Sequence, residues 1–305
     1  MLDYKSYIKS RQMRLKVLRL FDFIPDRLML RMQYRIKFGR RLDLKNPKRF
    51  TEKIQYYKLY YRNANMPVCS DKYLVREYVK NKGFAEILNE VYGVYDDADK
   101  IDFNLLPNSF VIKNTLGGGG NDIIICKDKN SFDIESAKTQ MRSWLNKKGK
   151  NPGREWVYDV GKPKILIEKY LEDKTHPGGL IDYKFFCFNG QVHYLYVIAN
   201  RKLGEHAEFG IYDKDFNRLK YERAGEKPLS FDIEKPQNYD EMVRIAEILS
   251  NEFPHVRVDL YNIDGKIIFG ELTFFGASGY MKFEPDEFDF ILGEKFNICE
   301  RGKKC

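Results

Sequence analysis

Hydrophobic residues at helical spacing, with lysine and arginine between them, occupy the first part of the chain. In residues 4–22 the apolar positions are Tyr4, Ile8, Leu15 and Leu18. This spacing predicts an amphipathic helix. A second basic helix is predicted between Pro25, which favours a helix start, and Gly39, which favours a helix end.

Beyond residue 50 the pattern alternates between helical and strand periods. FTEKIQYYKLYYRN predicts a helix with Thr51 as its cap, and Asp71–Arg76 opens another helix that ends near Gly83. Further helices are predicted at 133–147 and 238–251. The predicted strands are EILNEVYGVY, SFVIKNT, DIIICK, ILIEKYL, DYKFFCFNG, QVHYLYVIANR, VRVDLYNI and KIIFGEL, the last two joined by the turn Asp264-Gly265. Mixed helices and strands with short hairpins predict an α+β fold with mostly antiparallel sheets.

Composition is typical of a folded protein of one large domain or two smaller ones. The chain has 305 residues, and its aromatic content of 15% argues against disorder. No apolar run reaches the length of a membrane span, and the start of the chain lacks a signal-peptide core. Five cysteines, at positions 69, 126, 187, 299 and 305, are scattered without a CxxC pair, as expected for free thiols in a reducing compartment. We therefore expect a cytoplasmic protein.

Positive charge is concentrated at the beginning of the chain. Residues 1–49 hold 15 Lys/Arg against 4 Asp/Glu, a net charge of +11 within a total of +9, so the remainder sums to −2. Such a segment can contact anionic lipid, an acidic polymer or nucleic acid. It can equally present a solvated basic face or pack on its own body.

Two carboxylates occupy adjacent predicted strands near the end of the chain. Asp259 follows Arg257 by two residues, so their side chains share one face, and Glu271 lies in the next strand. Buried carboxylates are costly unless a cation meets them. The pair predicts a seat for a divalent metal and the phosphates it carries. A structural ion pair with Arg257 is the alternative.

A glycine run follows a lysine at the end of a predicted strand. Lys113 precedes Gly117–Gly120, and consecutive glycines let backbone N–H groups approach phosphate oxygens. The run is neither a P-loop nor a dinucleotide fingerprint, because no GK[ST] follows and no helix starts there. A flexible turn is the alternative interpretation.

Two later segments combine apolar and charged residues in a way that suits a nucleotide. In ILIEKYL an apolar strand ends in Glu168, Lys169, Tyr170 and Leu171, which could edge a purine pocket. Asp182 and Lys184 share one strand face and offer a hydroxyl acceptor beside a cation. Surface charges on strands would give the same pattern.

Taken in order, these motifs resemble the ATP-grasp superfamily, and most closely its TupA-like branch of teichuronopeptide and polysaccharide biosynthesis. The resemblance covers about residues 46–298 and rests on FTEKIQ, SDKYLVREYV, VIKNTLGGGGN, ILIEKYL, DYKFFCFNG and VRVDLYNIDGKIIFGELTF. It implies two α+β subdomains that grip ATP between mostly antiparallel sheets. The implied division is a basic helical appendage (1–49), a helical and strand segment (50–105), a small subdomain with a glycine lid (106–164), a large subdomain (165–298) and a tail (299–305).

The resemblance also implies roles for individual residues. ATP and its phosphates are assigned to Lys72, Lys113, Gly117, Gly118, Gly119, Gly120, Glu168, Lys169, Tyr170, Leu171 and Asp182. Catalytic cations are assigned to Lys184, Arg201 and Arg257, the Mg²⁺ position to Asp259, Glu271 and Thr273, and the acceptor region to Ser278, Gly279 and His206. The superfamily usually has asparagine where this chain has Thr273, which puts a second metal position in doubt.

The activity implied is that of an ATP-dependent ligase that joins a carboxylate to an amine through an acyl phosphate. The branch points to a uronic acid of a surface polysaccharide, or a nucleotide- or lipid-linked sugar precursor, as the carboxylate. ATP and Mg²⁺ are the expected cofactors, residues 1–40 are a candidate contact with the inner membrane face, and no nucleic acid partner is expected. The alternatives are a kinase acting on a glycan hydroxyl and a non-catalytic polysaccharide-binding scaffold.

Overall fold

The computed structural model of the chain describes residues 13, 17–118, 122–146, 149–174, 176–201 and 207–298. The helices are α1 (Asp26–Phe38), α2 (Phe50–Tyr60), α3 (Asn65–Ser70), α4 (Val75–Asn81), α5 (Ile134–Leu145), α6 (Val157–Val160), α7 (Tyr239–Ser250) and α8 (Glu287–Lys295). The strands are β1 (Val91–Tyr95), β2 (Phe110–Asn114), β3 (Ile123–Cys126), β4 (Ile165–Lys169), β5 (Asp182–Phe188), β6 (Gln191–Ala199), β7 (Glu208–Asp213), β8 (Glu222–Arg223), β9 (Lys227–Pro228), β10 (His255–Ile263), β11 (Lys266–Thr273) and β12 (Phe283–Glu284). Several predicted features lie outside the described residues, namely Tyr4, Ile8, Leu15, Gly119, Gly120, His206 and the tail 299–305.

Two sheets organise the molecule. A four-stranded sheet has the order β1-β4-β2-β3, and a six-stranded sheet has the order β11-β10-β5-β6-β7-β9. All neighbouring strands in them are antiparallel except β7 and β9. The predicted α+β class with mostly antiparallel sheets is therefore confirmed.

The four-stranded sheet combines strands from three of the predicted segments. It takes β1 from segment 50–105, β2 and β3 from 106–164, and β4 from beyond residue 164. Strands that are distant in sequence belong to one sheet because β4 lies between β1 and β2. The division into segments stays a prediction.

Each sheet has its own hydrophobic core. The larger core joins the six-stranded sheet to α2, α7 and α8 through buried aromatic and aliphatic side chains such as Phe186, Leu249 and Phe288. The smaller core packs the four-stranded sheet against Met141 and Trp144 of α5. Separate cores leave a space between the sheets, and that space is the cavity described below.

The helices predicted beyond residue 25 occur, with changes at their ends, whereas the one predicted over residues 4–22 lies mostly outside the described residues. Helix α1 ends at Gly39, whose φ of 73° suits glycine. Helix α2 is capped by Arg49, so the prediction of Thr51 as its cap is wrong. Thr51 lies inside the helix, where its hydroxyl donates to Asp289 (2.8 Å) and contacts the Tyr34 hydroxyl (2.9 Å). Its polar atoms thus attach α2 to α1 and α8.

Two further boundaries differ from the predicted ones. The helix expected to open at Asp71 begins at Val75, because the Asp71 carboxylate accepts the backbone N–H groups of Tyr73 (2.8 Å) and Leu74 (2.9 Å) and holds a turn. The strand expected across EILNEVYGVY is confined to Val91–Tyr95, since Ala85–Ile87 forms a 3₁₀ turn. Both differences arise from local turns that compete with regular structure.

A β-bulge at Gly270 interrupts the pairing of β10 with β11. Asp259 pairs with Glu271, and the next residue, Leu260, pairs with Phe269, so Gly270 is the extra residue. A side chain at Gly270 would come within 2.9 Å of the Asp259 carbonyl oxygen, which explains the glycine. As a result, Phe269 shares the core face with Leu260, whereas Glu271 shares the opposite face with Asp259.

None of the helices within the described ranges is long and apolar enough to cross a bilayer. The three described cysteines, Cys69, Cys126 and Cys187, are buried free thiols.

Candidate functional site

A cavity of about 920 Å³ lies between the two sheets. The four-stranded sheet and the glycine loop line it with Asn114, Leu116 and Gly118, and α5 adds Trp144. The six-stranded sheet lines it with Lys184, Tyr196, Ile198, Arg257, Glu271 and Thr273. A space of this size is typical of a small-molecule site.

Asp259 is the centre of a buried charge cluster on the six-stranded sheet. Its side chain is 1% exposed and accepts a bidentate pair of bonds from Arg257, with Nε at 2.7 Å from Oδ1 and Nη2 at 2.8 Å from Oδ2. Lys184 Nζ contacts the same Oδ2. The three strands β5, β10 and β11 are neighbours, so their alternation places these groups on one face. Burial raises the pKa of Asp259, and Arg257 and Lys184 oppose that rise.

Glu271 lies directly opposite Asp259 and is more accessible, with 39% of its side chain exposed. Arg257 Nη2 lies 3.4 Å from Glu271 Oε1, and the Thr273 hydroxyl donates to the same oxygen at 3.1 Å. Burial would raise the pKa of Glu271, but Lys72, Lys184 and Arg257 outweigh it and lower the pKa to about 2. An exposed, ionised carboxylate therefore faces the cavity.

Asp182 extends the cluster along β5. Its Oδ2 accepts from Lys184 (2.7 Å) and from Arg201 (3.1 Å). Its Oδ1 is buried and has no hydrogen-bond partner within the described part of the chain. This oxygen is an acceptor next to two cations, but Asp182 is 1% exposed and is not among the described residues that line the cavity, so a ligand hydroxyl could reach it only after neighbouring side chains move.

The two predicted phosphate lysines occupy different surroundings. Lys72 Nζ donates to the Gly117 carbonyl and lies 4.0 Å from Glu271 Oε2. It therefore joins the glycine loop to the group of Arg257, Asp259 and Glu271, which we call the acid wall. Burial lowers its pKa, and Glu271 opposes that effect. Lys113 Nζ is paired with Glu168 (2.6 Å), which also lies 3.5 Å from Arg76.

The four residues predicted to contact adenine lie at the end of β4 and just beyond it. Glu168 is buried in the ion pairs described above, Lys169 is exposed and paired with Glu90 (3.7 Å), and Tyr170 and Leu171 are half-buried. None of the four is among the described residues that line the cavity. The structure thus unites the acid wall with Lys72 and Gly117, but it does not bring the adenine residues into the same lining.

The predicted acceptor region is a tight turn, Gly276–Gly279. Ala277 and Ser278 both adopt left-handed backbone angles, with φ of 46° and 56°. Such angles are strained for residues other than glycine and persist only where the surroundings hold them. Gln55 of α2 donates its side-chain amide to the carbonyls of Ser278 (3.1 Å) and Gly279 (3.2 Å).

Lys58 is a residue of this region that the sequence interpretation missed. It is 2% exposed, and its Nζ donates to the carbonyls of Gly153 and Ser278, each at 2.8 Å, and to the Ser278 hydroxyl at 3.1 Å. Burial lowers its pKa to about 8. A lysine three residues after Gln55 on an otherwise buried helix was the available signal.

Oxygen donors of the types that Mg²⁺ takes together with phosphate lie at the cavity wall. Glu271 supplies a carboxylate and Thr273 a hydroxyl, and both residues line the cavity. Asp259, opposite Glu271, supplies a second carboxylate that is 1% exposed and bonded to Arg257 and Lys184, so it would have to release one of these cations to hold a metal ion. No cluster of three or more His, Cys, Asp or Glu with metal-binding geometry occurs among the residues the structure describes. A cation here would therefore need substrate oxygens to complete its coordination.

The family model for TupA-like ATP-grasp proteins matches residues 52–297. This range is most of the chain and contains both sheets and the cavity between them. The chain belongs to the TupA-like ATP-grasp family. No protein with a curated description gives a significant match.

Solved structures of ligases resemble parts of the chain. D-alanine–D-alanine ligase from Bacillus anthracis is 17% identical with a TM-score of 0.41, over 68% of this chain and 57% of that one. The Helicobacter pylori enzyme is 13% identical with a TM-score of 0.42, over 81% and 68%. N5-carboxyaminoimidazole synthetase from Staphylococcus aureus, complexed with ADP, is 12% identical with a TM-score of 0.40, over 68% and 44%. The chain spans just over half of the first of these proteins, and the assignment rests on the family match rather than on these likenesses.

Proposed function

We propose that this protein is an ATP-dependent ligase that activates a substrate carboxylate as an acyl phosphate and transfers it to an amine. The observation that carries the proposal is the cluster of Lys72, Lys184 and Arg257 around Asp259 and Glu271, facing the glycine loop across one cavity. Phosphoryl transfer relies on alignment and charge compensation, which cations and carboxylates in this arrangement supply. No nucleophilic serine, cysteine or histidine is required.

The proposed roles follow from position. Asp259, Glu271 and Thr273 would hold Mg²⁺, which when bound would offset charge on the phosphates. Lys72 would bind phosphate oxygens, because its contact with the carbonyl of Gly117 places its ammonium beside the first residue of the glycine loop. Asp182 would accept a ribose hydroxyl at Oδ1 once Arg201 or Lys184 moves away from its carboxylate and exposes it. Asp259 holds the Arg257 guanidinium by its bidentate pair, ready to meet the acyl phosphate as it forms.

For Lys113, Glu168, Lys169, Tyr170 and Leu171 the nucleotide roles remain part of the proposal. Support comes from the order of motifs in the matched family range. The ion pair of Lys113 with Glu168 would have to open, or shift, for Lys113 to reach a phosphate. Binding of the nucleotide is the step we expect to rearrange this pair.

The carboxylate is proposed to be a uronic acid of a surface polysaccharide or of its precursor. The TupA-like family supports this substrate class. So does the basic character of the cavity, which Arg19, Lys150, Arg201 and Arg223 line in addition to Lys184 and Arg257. Cationic side chains of this kind favour a substrate that carries several negative charges. The amine is proposed to be an amino acid.

Two other activities make different predictions about product. A kinase acting on a glycan hydroxyl would transfer the γ-phosphate without any amine. A polysaccharide-binding scaffold would bind no ATP. Ionised Glu271 beside Lys72 at the cavity wall supports a nucleotide-binding site and so argues against the scaffold. The product, rather than this geometry, distinguishes the ligase from the kinase.

The test is a screen of uronic acids paired with amino acids in the presence of ATP and Mg²⁺. We expect phosphate release only when both are present, and a product whose mass equals the uronate plus the amine minus water. Phosphate incorporated into the glycan without amine would establish the kinase instead. Calorimetric titration that shows no binding at millimolar ATP would establish the scaffold.

A further inference from the structure

Helix α1 exposes an apolar stripe. Leu28, Met32 and Ile36 are four residues apart and therefore lie on one side of the helix, and they are 51%, 43% and 49% exposed. The turn before the helix adds Leu20 and Phe23, which are 71% and 82% exposed. Large apolar side chains exposed together on one short segment mark a contact surface rather than chance exposure.

A basic stripe runs beside the apolar one. Arg27, Arg31 and Arg35 each precede a residue of the apolar stripe and are exposed. At 100° per residue the two stripes adjoin along the length of the helix. Asp26 is the only acidic residue of α1, and it is engaged by Lys150 (3.3 Å) and Arg154 (3.2 Å). The exposed side of α1 is therefore apolar and cationic, and its one carboxylate, Asp26, is 47% exposed and already paired with these two cations.

The opposite side of α1 is fixed to the protein. Leu30 and Tyr34 are fully buried. Gln33 donates to the Pro152 carbonyl (2.8 Å) and accepts from the Tyr280 hydroxyl (2.7 Å). Helix α1 is thus held to the protein by its buried face, and the two exposed stripes are not needed for that packing.

This surface adjoins one end of the cavity. Arg19, just before Leu20, lines the cavity, as do Lys150 and Pro152. The Lys150 backbone N–H donates to the Asp22 carboxylate (3.1 Å), and Arg154 donates to the Phe21 carbonyl (2.8 Å). The exposed segment and the cavity lining are therefore held together as one unit.

We propose that residues 19–36 form a docking surface for an anionic phospholipid bilayer, and that the cavity receives its substrate at that surface. Apolar side chains would enter the acyl boundary while the arginines contact lipid phosphates, the arrangement of an interfacial helix. A second copy of the chain is a poorer occupant, because a symmetric contact would bring two arginine stripes together. This inference is independent of the reaction proposed above.

The experiment is sedimentation of the full chain with vesicles of phosphatidylcholine alone or with phosphatidylglycerol added. We expect binding to the anionic vesicles that weakens as salt is raised. Arg27→Gln/Arg31→Gln/Arg35→Gln should lower the partition coefficient on the order of 100-fold, and Leu28→Ser/Met32→Ser about tenfold. Exposed residues elsewhere provide matched controls, Lys80→Gln/Lys100→Gln/Lys266→Gln for charge and Leu105→Ser/Val160→Ser for apolar area, and these should bind like the unaltered protein.

Three results would overturn the proposal. The first is failure of the full chain to bind either type of vesicle. The second is an equal loss of binding in the control variants and the α1 variants, which would show that total charge or total apolar area determines binding. The third is a dimer, detected by light scattering without vesicle binding, that Leu28→Ser/Met32→Ser dissociates, which would assign the surface to a second copy. ATP turnover without vesicles is measured in parallel, so that failure of this proposal is distinguished from failure of the proposed reaction.

Discussion

The acid wall around Asp259 and the turn held by Lys58 both contain buried charge, yet they are stabilised in opposite ways. At the acid wall, Arg257 and Lys184 pair with carboxylates, and Glu271 is 39% exposed. At the turn, the buried ammonium of Lys58 is bonded to carbonyl, amide and hydroxyl oxygens. The acid wall therefore presents charged groups that a ligand can contact. The Lys58 ammonium instead stabilises the strained backbone of the turn Gly276–Gly279.

The largest expected effect is on turnover, from Glu271→Gln. The amide keeps the shape but removes the exposed charge of the metal seat, so we expect ATP turnover to fall on the order of 10³-fold. Thermal stability should also fall, because the cations that lower the pKa of Glu271 to about 2 lose their charged partner, but by less than in a buried carboxylate, since the side chain is 39% exposed. Glu241→Gln, which alters a surface pair with Arg244 on α7, is the matched control and should retain activity. Full activity of Glu271→Gln would place the metal elsewhere.

Asp259→Asn should affect stability as well as activity. It leaves Arg257 and Lys184 in a buried position with less compensating charge, and breaking such a cluster costs about 3–5 kcal/mol. Urea unfolding measures the loss. Asp286→Asn, which alters an ion pair whose carboxylate is 55% exposed, should cost less than about 1 kcal/mol. Equal losses of unfolding free energy in the two variants would show that the buried Asp259 cluster contributes no more to stability than an exposed ion pair.

Lys58→Met should lower the free energy of unfolding by about 1–3 kcal/mol near neutral pH, because the Gly153 and Ser278 carbonyls lose their donor. It should also raise KM for the acceptor more than it lowers kcat, since Lys58 positions the turn without lining the cavity. A loss confined to kcat would contradict this positioning role.

The same variant makes a pH prediction. The pKa of Lys58 is lowered to about 8 in the folded protein, below its value of about 10.4 in an unfolded chain. Between these two values the unfolded state binds more protons, so this residue makes stability increase with pH. The difference in unfolding free energy between the unaltered protein and Lys58→Met should therefore grow from pH 8 to pH 10. A difference that shrinks over this range would mean that the lysine is stabilised in its charged form.

The smallest effect is expected from Thr273→Val, which keeps the shape but removes a hydroxyl that accepts from Arg257 (3.2 Å) and donates to Glu271 (3.1 Å). One hydrogen bond of about 1 kcal/mol corresponds to roughly a fivefold loss in kcat/KM. Thr273→Ser retains the hydroxyl and should behave like the unaltered protein. A loss as large as that of Glu271→Gln would make the hydroxyl a principal ligand.

Periodicity predicted much of the fold, and strand position predicted the acid wall. Arg257, Asp259 and Glu271 could be placed on one face because two residues in a strand return to the same side. The helix starts predicted at Thr51 and Asp71 were wrong because they depend on hydrogen bonds that hydrophobic periodicity does not reveal. Thr51 bonds to Asp289 in another helix, and Asp71 bonds to the backbone of its own turn. Lys58 was missed because its partners, Gly153 and Ser278, lie 95 and 220 residues away. The pairing of Lys113 with Glu168 likewise depends on β4 lying next to β2.

The bulge at Gly270 has a consequence for how this protein can change. Ile267 and Phe269 face the core while Glu271 and Thr273 face the ligand, although all four are odd-numbered positions of one strand. Deletion of a single residue there would restore a regular ladder. It would move either Ile267 and Phe269 out of the core or Glu271 and Thr273 away from the cavity. Length variation in this hairpin should therefore be tolerated at the Asp264-Gly265 tip, whereas a one-codon deletion at position 270 should inactivate the protein outright.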